Sequence, residues 1–211
     1  MHKYEILDKI GEGNFGSIYK CRNRHNGRMN AVKIDRGDGA TLKRETQILL
    51  YLGKNDYTVP IKWYGVFNEV QCLVMQLMGR SLNEVHTELT EDNKERLTDA
   101  VEFLHSKNVL HRDIKPSNFI YNLEMTKIYI IDFGMAISAD SPQGERKSPL
   151  GTPNFMSIKM HNSPKVPYSA EDDMESLGYV FLFLKGGRRL PWDGCKTNDE
   201  ILKMKIRFEE T

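Results

Sequence analysis

His111-Arg112-Asp113-Ile114-Lys115-Pro116-Ser117-Asn118, followed by Ile131-Asp132-Phe133-Gly134, is the pair of strings that decides how this chain is read. The first sets a carboxylate, an amine and an amide close together, and the second adds another carboxylate. Phosphoryl transfer needs a base that orients the acceptor, cations that balance phosphate charge, and oxygen ligands for magnesium. Asp113 suits the base, and Lys115 stands two residues away to neutralise transferred charge. Asn118 and Asp132 supply hard oxygens of the kind magnesium prefers. Each residue alone is an ordinary polar loop residue. The chemistry is carried by the two strings occurring together and in this order.

Upstream, Gly11-Glu12-Gly13-Asn14-Phe15-Gly16 matches G-x-G-x-x-G. In a dinucleotide fold a helix follows the glycines and an acid lies ~20 residues on, and Asp35 stands at about that distance. Here Ser17-Ile18-Tyr19-Lys20-Cys21 follows and reads as a strand. The glycines then form a hairpin turn whose bare backbone can lie over phosphates, although an ordinary Gly-rich hairpin has the same pattern. Ala31-Val32-Lys33-Ile34 places a lysine in a β-branched strand, where it is usually a solvated edge residue. The next helix carries Leu42, Ile48, Leu49 and Leu52 on one stripe, and Glu45 falls on that stripe. A carboxylate facing a core needs a cationic partner, and Lys33 is the natural candidate. At the stripe's edge Glu45 would instead be solvated.

Thirty basic and twenty-nine acidic residues leave a formal charge of +1. That balance argues against nucleic-acid binding through a basic surface, and against an acidic tail protein. Hydrophobic residues at 39% and charged residues at 28% fit a soluble globular chain. The longest apolar run, about Tyr179 to Leu184, is far short of the ~18 residues of a membrane span, so no membrane partner is expected. Met1-His2-Lys3-Tyr4-Glu5 opens no apolar segment and is read as lacking a secretory signal. Cys21, Cys72 and Cys195 are odd in number and far apart. They predict free thiols in a reducing, intracellular compartment, cytoplasmic or nuclear. His2, His25, His86, His105 and His161 lack ligand spacing and read as surface or packing residues.

Alternation predicts strands at Tyr4 to Ile10, Ser17 to Arg22, Met29 to Ile34, Trp63 to Phe67 and Gln71 to Met75, with a turn at Asn26-Gly27. A helix is expected at Thr41 to Leu52. After Gly79 the pattern turns helical, with Leu97, Ala100, Val101 and Leu104 at helical spacing. Short strands near Val109-Leu110 and Lys127 to Ile131 follow. Then come a long Gly/Pro/Ser-containing stretch, Ser138 to Pro167, and helices at Glu171 to Leu184 and Asp199 to Glu209. Strands first and helices after predict an α+β chain with two lobes.

Over nearly its whole length the chain resembles a eukaryotic Ser/Thr protein kinase, and within that superfamily the casein kinase 1 family. The general resemblance rests on the strings above. The narrower one rests on Leu77-Met78-Gly79-Arg80-Ser81-Leu82, on Gly151-Thr152-Pro153-Asn154-Phe155-Met156-Ser157-Ile158, and on Glu171-Asp172-Asp173-Met174-Glu175-Ser176-Leu177-Gly178-Tyr179-Val180 with Leu190-Pro191-Trp192 after it. It implies a two-lobed protein-kinase fold. Residues 1–78 would form an N-lobe of antiparallel sheet plus one helix. Residues 79–211 would form a mainly helical C-lobe with catalytic loop, activation segment and substrate platform. ATP and Mg2+ are the implied cofactors, and Ser/Thr-containing proteins, acidic ones among them, the implied substrates.

The resemblance also implies roles. Gly11, Gly13 and Gly16 would cover the ATP phosphates, and Lys33 would pair with the α- and β-phosphates and with Glu45. Ile10, Ile18, Ala31, Ile120 and Ile131 would sandwich adenine, with Met75 as gatekeeper and Leu77-Met78 offering hinge backbone. Asp113 would accept or orient the substrate hydroxyl proton, Lys115 would contact the γ-phosphate, and Asn118 and Asp132 would hold Mg2+. Thr152 would brace Asp113 and Lys115, and Asp173 would anchor the catalytic loop.

Departures from the pattern shape further expectations. The chain ends soon after the helix at Asp199 to Glu209, where the family continues for several more helices. The resemblance is thus to a C-terminally abbreviated member, lacking the last helices, or to a truncated one. Val180-Phe181-Leu182-Phe183-Leu184 would then lack cover, and an exposed patch there would favour a partner or self-association. The stretch from Leu82 to His111 is short, which implies a shortened helix before the catalytic loop or the loss of the helix preceding it. Arg112 and Lys147 stand where the family uses basic residues to read phosphorylated substrates, but Ile137, Asn154 and Ala170-Glu171 replace others. The anion site reads as half built, which predicts weak preference for primed substrates. Ser141 and Ser148, each before proline, read as exposed loop serines. The rival functions are a pseudokinase acting as a nucleotide-binding scaffold, a small-molecule kinase of related fold, and a Rossmann oxidoreductase. The filled catalytic positions argue against the first, and the strand after Gly16 contradicts the last.

Overall fold

The computed structural model describes residues 3–13, 16–35, 37, 39–86, 89–144, 149–162 and 165–210. Asn14 and Phe15 of the glycine string, and Lys147 and Ser148, lie outside the described residues. In chain order the elements are β1 (Tyr4–Gly13), β2 (Gly16–Asn23), β3 (Met29–Asp35), α1 (Ala40–Leu52), β4 (Ile61–Phe67), β5 (Val70–Gln76), α2 (Glu91–Ser106), β6 (Val109–Leu110), β7 (Phe119–Tyr121), β8 (Ile128–Ile130), β9 (Ile137–Ser138), α3 (Ile158–Asn162), α4 (Ala170–Lys185) and α5 (Asn198–Glu209). They fall into two compact units, one of Met1–Arg80 with Ile120–Met135, the other of Ser81–Phe119 with Ala136–Thr211.

In the first unit the expected antiparallel sheet forms in the order β1-β2-β3-β5-β4. Gly27 turns the chain between β2 and β3 at a φ of 71°, the left-handed region in which glycine costs least. Strand alternation then sorts side chains between two faces. Tyr19, Val32, Val74 and Trp63 stand opposite one another and, with Tyr4, Cys21 and Cys72, form an apolar core on one face. On the other face Gly11, Ile18, Lys33 and Leu73 are in register across β1, β2, β3 and β5, with Ala31 paired to Met75 beside them.

α1 buries Leu42, Glu45, Thr46, Leu49 and Leu52. Ile48, expected on this stripe, is half-exposed, and Thr46 is buried in its place with its hydroxyl donating to the Leu42 carbonyl at 2.7 Å. The stripe is thereby rotated so that Glu45 lies within it rather than at its edge. Residues 120–135 join this unit through backbone bonds from Tyr121 N–H to Arg80 O at 2.9 Å and from Ile130 N–H to Tyr57 O at 2.8 Å. Lys127 adds an ion pair to Asp56.

The second unit is mainly helical. The Thr90 side chain caps α2 by accepting the Asn93 N–H, and Leu97, Ala100, Val101 and Leu104 are its buried face, as their spacing predicts. Among the described residues between Gly79 and α2 there is a turn at 81–84 and no helix, in line with the expected loss of the helix preceding α2. β6 pairs with β9. The stretch from Ser138 to Pro167 holds α3, which periodicity misses because the helix has five residues and buries only Met160. The run from 180 to 184 is buried or half-buried. Leu182 and Phe183 pack with Leu190, Trp192, Ile201 and Met204, and none of the five residues is exposed, so the exposed patch expected there does not form.

Candidate active site

Within the first unit, Lys33 Nζ lies 2.7 Å from Glu45 Oε2 and 2.9 Å from Asp132 Oδ1. β3 delivers the lysine, the buried stripe of α1 the glutamate, and the turn after β8 the aspartate. Arg44 ties α1 to this turn by donating to the Gly134 carbonyl at 2.6 Å. Burial disfavours charge on Lys33, but the two carboxylates outweigh it and hold its pKa above the ordinary lysine value. Glu45 is 2% exposed, and burial, opposed by Lys33 and reinforced by Asp132, leaves its carboxyl above the usual range. Two carboxylates thus share one amine. Asp132 adopts a φ of 65°, a conformation uncommon for a residue with a Cβ.

On the same face of the sheet as Lys33 stand Ile18, Ala31 and Met75. Ile18, Met75, Leu77, Met78, Ile120 and Ile131 are half-exposed, and Ile10 is exposed. Gly16 is dictated by packing: a Cβ there would lie 2.2 Å from the Ile34 carbonyl oxygen. A Cβ on Gly11 would meet only Ile18 side-chain atoms, at an ordinary 3.6 Å. Gly13 pairs with Gly16 where β1 meets β2.

Within the second unit, Asp113, Lys115, Asn118 and Thr152 converge. Thr152 Oγ1 donates to Asp113 Oδ1 at 2.7 Å and accepts from Lys115 Nζ at 3.0 Å. Lys115 also pairs with Asp113 Oδ2 at 2.7 Å. Asn118 Nδ2 donates to the Asp113 backbone carbonyl at 2.8 Å and reaches its carboxylate at 3.3 Å. These bonds turn the Asn118 amide so that its oxygen, to which none of the described residues donates, is left for another donor or a cation. Both oxygens of Asp113 are held, which fixes the carboxylate's orientation.

The loop carrying Asp113 is suspended from α4. Asp173, fully buried, accepts the backbone N–H groups of His111 and Arg112 at 2.9 Å each, the Tyr168 hydroxyl at 2.8 Å and His105 Nε2 at 3.1 Å. Burial alone would raise its carboxyl, but the bonds from His105, His111 and Tyr168 outweigh it and hold the group below its ordinary value. Arg112 sits at a φ of 67°, and the bond from its N–H to Asp173 supports this strained backbone.

Sequence alone does not single out His105, Tyr168 or Lys205. His105 looks like the exit of an amphipathic helix, and Tyr168 like a loop aromatic. The readable signal for Asp173 is an acidic triplet, Glu171-Asp172-Asp173, two members of which are buried.

A family model for the protein kinase domain matches residues 4–210. The chain belongs to the protein kinase domain family, whose members act as phosphotransferases and generally use ATP and Mg2+. Among the described residues no group of three His, Cys, Asp or Glu side chains could hold a metal. Magnesium is usually bound by one or two carboxylates plus substrate phosphates. In the first unit the Asp132 carboxylate stands in a cluster with more anions than cations, which suits a hard cation; in the second, the oriented Asn118 amide offers a neutral oxygen.

Proposed function

We propose that this chain is a Mg-ATP-dependent protein kinase that phosphorylates Ser and Thr hydroxyls, of the casein kinase 1 type. The observation that carries the reading is the closure of Asp113, Lys115 and Thr152 on one another, with Asn118 holding the same loop. A carboxylate bonded on both oxygens is positioned to accept or orient the proton of an incoming hydroxyl. Lys115, beside it, supplies a positive charge to the phosphoryl group in transit. Lys33, kept protonated by Glu45 and Asp132, offers a fixed cation to nucleotide phosphates. The half-exposed apolar side chains around Ala31 and Met75 offer a surface for a flat base. Asp132 and Asn118 would hold Mg2+, which supplies charge neutralisation at the phosphates. The chain's contribution is positioning plus electrostatic stabilisation.

Incubation with Mg-ATP and casein is expected to give phosphate transfer to Ser or Thr, and Asp113→Asn to reduce it by at least ~100-fold. Equal transfer by both proteins overturns the assignment of the base, and no transfer by either favours the scaffold reading. In the same assay a peptide panel with and without upstream phosphoserine should show little gain from priming. This follows from Ile137, Asn154 and Ala170-Glu171 standing where basic residues would be needed.

A further inference from the structure

A buried lysine outside the site holds the segment that follows Thr152. Lys205, on α5, is fully buried. Its Nζ donates to the Pro153 carbonyl at 3.1 Å and to the Met156 carbonyl at 2.5 Å. It also lies 4.4 Å from the centre of the Tyr179 ring and 5.2 Å from that of Trp192. Among the described residues it forms no ion pair, so two peptide dipoles and two aromatic faces are what receive the charge. Of the two carbonyls between Pro153 and Met156, that of Asn154 accepts from Trp192 Nε1 at 2.9 Å, and the Asn154 side chain bonds Asp193. The segment is in turn coupled to Thr152, whose carbonyl accepts the N–H groups of Phe155 and Met156 at 2.8 Å each.

We propose that Lys205 is a positioning residue: by seating the Pro153 and Met156 carbonyls it fixes the turn that presents Thr152 to Asp113 and Lys115. This rests on the reading of those three residues as the catalytic group. An apolar side chain of equal length would fill the space but leave the buried Met156 carbonyl without this donor, and the Pro153 carbonyl with His161 Nε2 at 3.0 Å alone.

The seat is sensitive to protonation. Burial pushes the Lys205 amine down to about 7, against the opposing charges of Glu175 on α4 and Glu209 on its own helix. From α3, His161 faces it with Nε2 at 3.4 Å. Burial and the Lys205 charge push that imidazole down to about 4, against its bond to the Pro153 carbonyl at 3.0 Å and the charge of Asp199 on α5, so it stays uncharged. The Tyr179 hydroxyl is turned away, donating to Glu175 at 2.6 Å, and Trp192 closes the remaining side. Loss of the proton weakens the two carbonyl bonds, which the ammonium charge strengthens, and removes the attraction to both rings.

The test compares the wild type with Lys205→Met and Lys205→Arg. Lys205→Met is expected to lower kcat on the order of tenfold with little change in the KM for ATP. The wild-type rate should fall as pH rises through neutrality. That limb should vanish in Lys205→Met and move to higher pH in Lys205→Arg, which keeps its charge. Hydrogen exchange at the Phe155 and Met156 amides should quicken in Lys205→Met while the α4 amides stay protected. Wild-type kcat and pH profile in Lys205→Met, or unchanged exchange at these two amides, overturns the proposal. If Asp113→Asn proves fully active, the catalytic reading fails, and the exchange measurement still decides whether Lys205 seats the segment. Should Lys205→Met not fold, the pH profile of Lys205→Arg decides, and a profile identical to wild type counts against the proposal.

Discussion

Gly16 and Gly11 share one string of sequence but answer to different forces. Gly16 is required by the approach of β2 to the Ile34 carbonyl, where a methyl group would intrude to 2.2 Å. Gly11 has room for one. Gly16→Ala is therefore expected to cost about 2 kcal/mol of stability, and Gly11→Ala to stay within about 0.5 kcal/mol while raising the KM for ATP. Chemical denaturation and ATP kinetics on the two variants check this, and equal stability losses would contradict it. The sequence does not separate the two glycines, because the separation depends on a neighbouring strand's carbonyl. The Lys33–Glu45 pair is legible, since a carboxylate on an apolar stripe demands a cation and the nearest strand offers one. Asp132 as the lysine's second partner is not, because 99 residues separate them.

At the scale of elements, α4 carries the catalytic loop through a single carboxylate. Asp173→Asn should cost about 3 kcal/mol at neutral pH, since several charge-assisted bonds weaken together. The Asp173 carboxyl is held below its ordinary value of 3.8. As pH falls the unfolded chain takes up this proton first, so the stabilisation is present above that ordinary value and is lost as pH falls through the lower folded value. Urea midpoints of wild type and variant should therefore separate at neutral pH and begin to converge only as pH falls below the ordinary value of 3.8. A gap that is constant with pH would show that the carboxylate's charge is not what holds the loop. The helices and strands themselves are largely legible, because apolar spacing and turn residues act locally. What α4 does for the loop is legible only through the family resemblance, which implies Asp173 as the anchor; local pattern alone does not show it, because hydrogen bonds to backbone N–H groups leave no mark on the donor's side chain. Lys205 is hidden for a related reason: a lysine on an amphipathic helix reads as solvated.

At the scale of the whole chain, the first compact unit is discontinuous, closing only when Ile120–Met135 returns to Met1–Arg80. The returning stretch brings Asp132 to Lys33, bonds Tyr57 and Arg80 through backbone, and pairs Lys127 with Asp56. A fragment of residues 1–80 should accordingly lack a cooperative unfolding transition by circular dichroism, and a peptide of residues 120–135 added in trans should restore part of it. A sharp transition from residues 1–80 alone would show that the return is dispensable. Composition foretells a folded globular chain, the order of strand and helix patterns its α+β class, and the order of the motifs its family. The return of 120–135 to the first unit is settled by long-range pairing that no local pattern encodes.

Asp132 holds a left-handed backbone that glycine would adopt without cost, and its carboxylate adds to the repulsion around Glu45. Replacing it with glycine would relax both, yet on the function proposed above it would take away the metal's anchor. The same replacement would also remove the carboxylate's 2.9 Å pair with Lys33, so thermal stability at this position weighs backbone strain and repulsion against an ion pair, while turnover depends on the carboxylate alone.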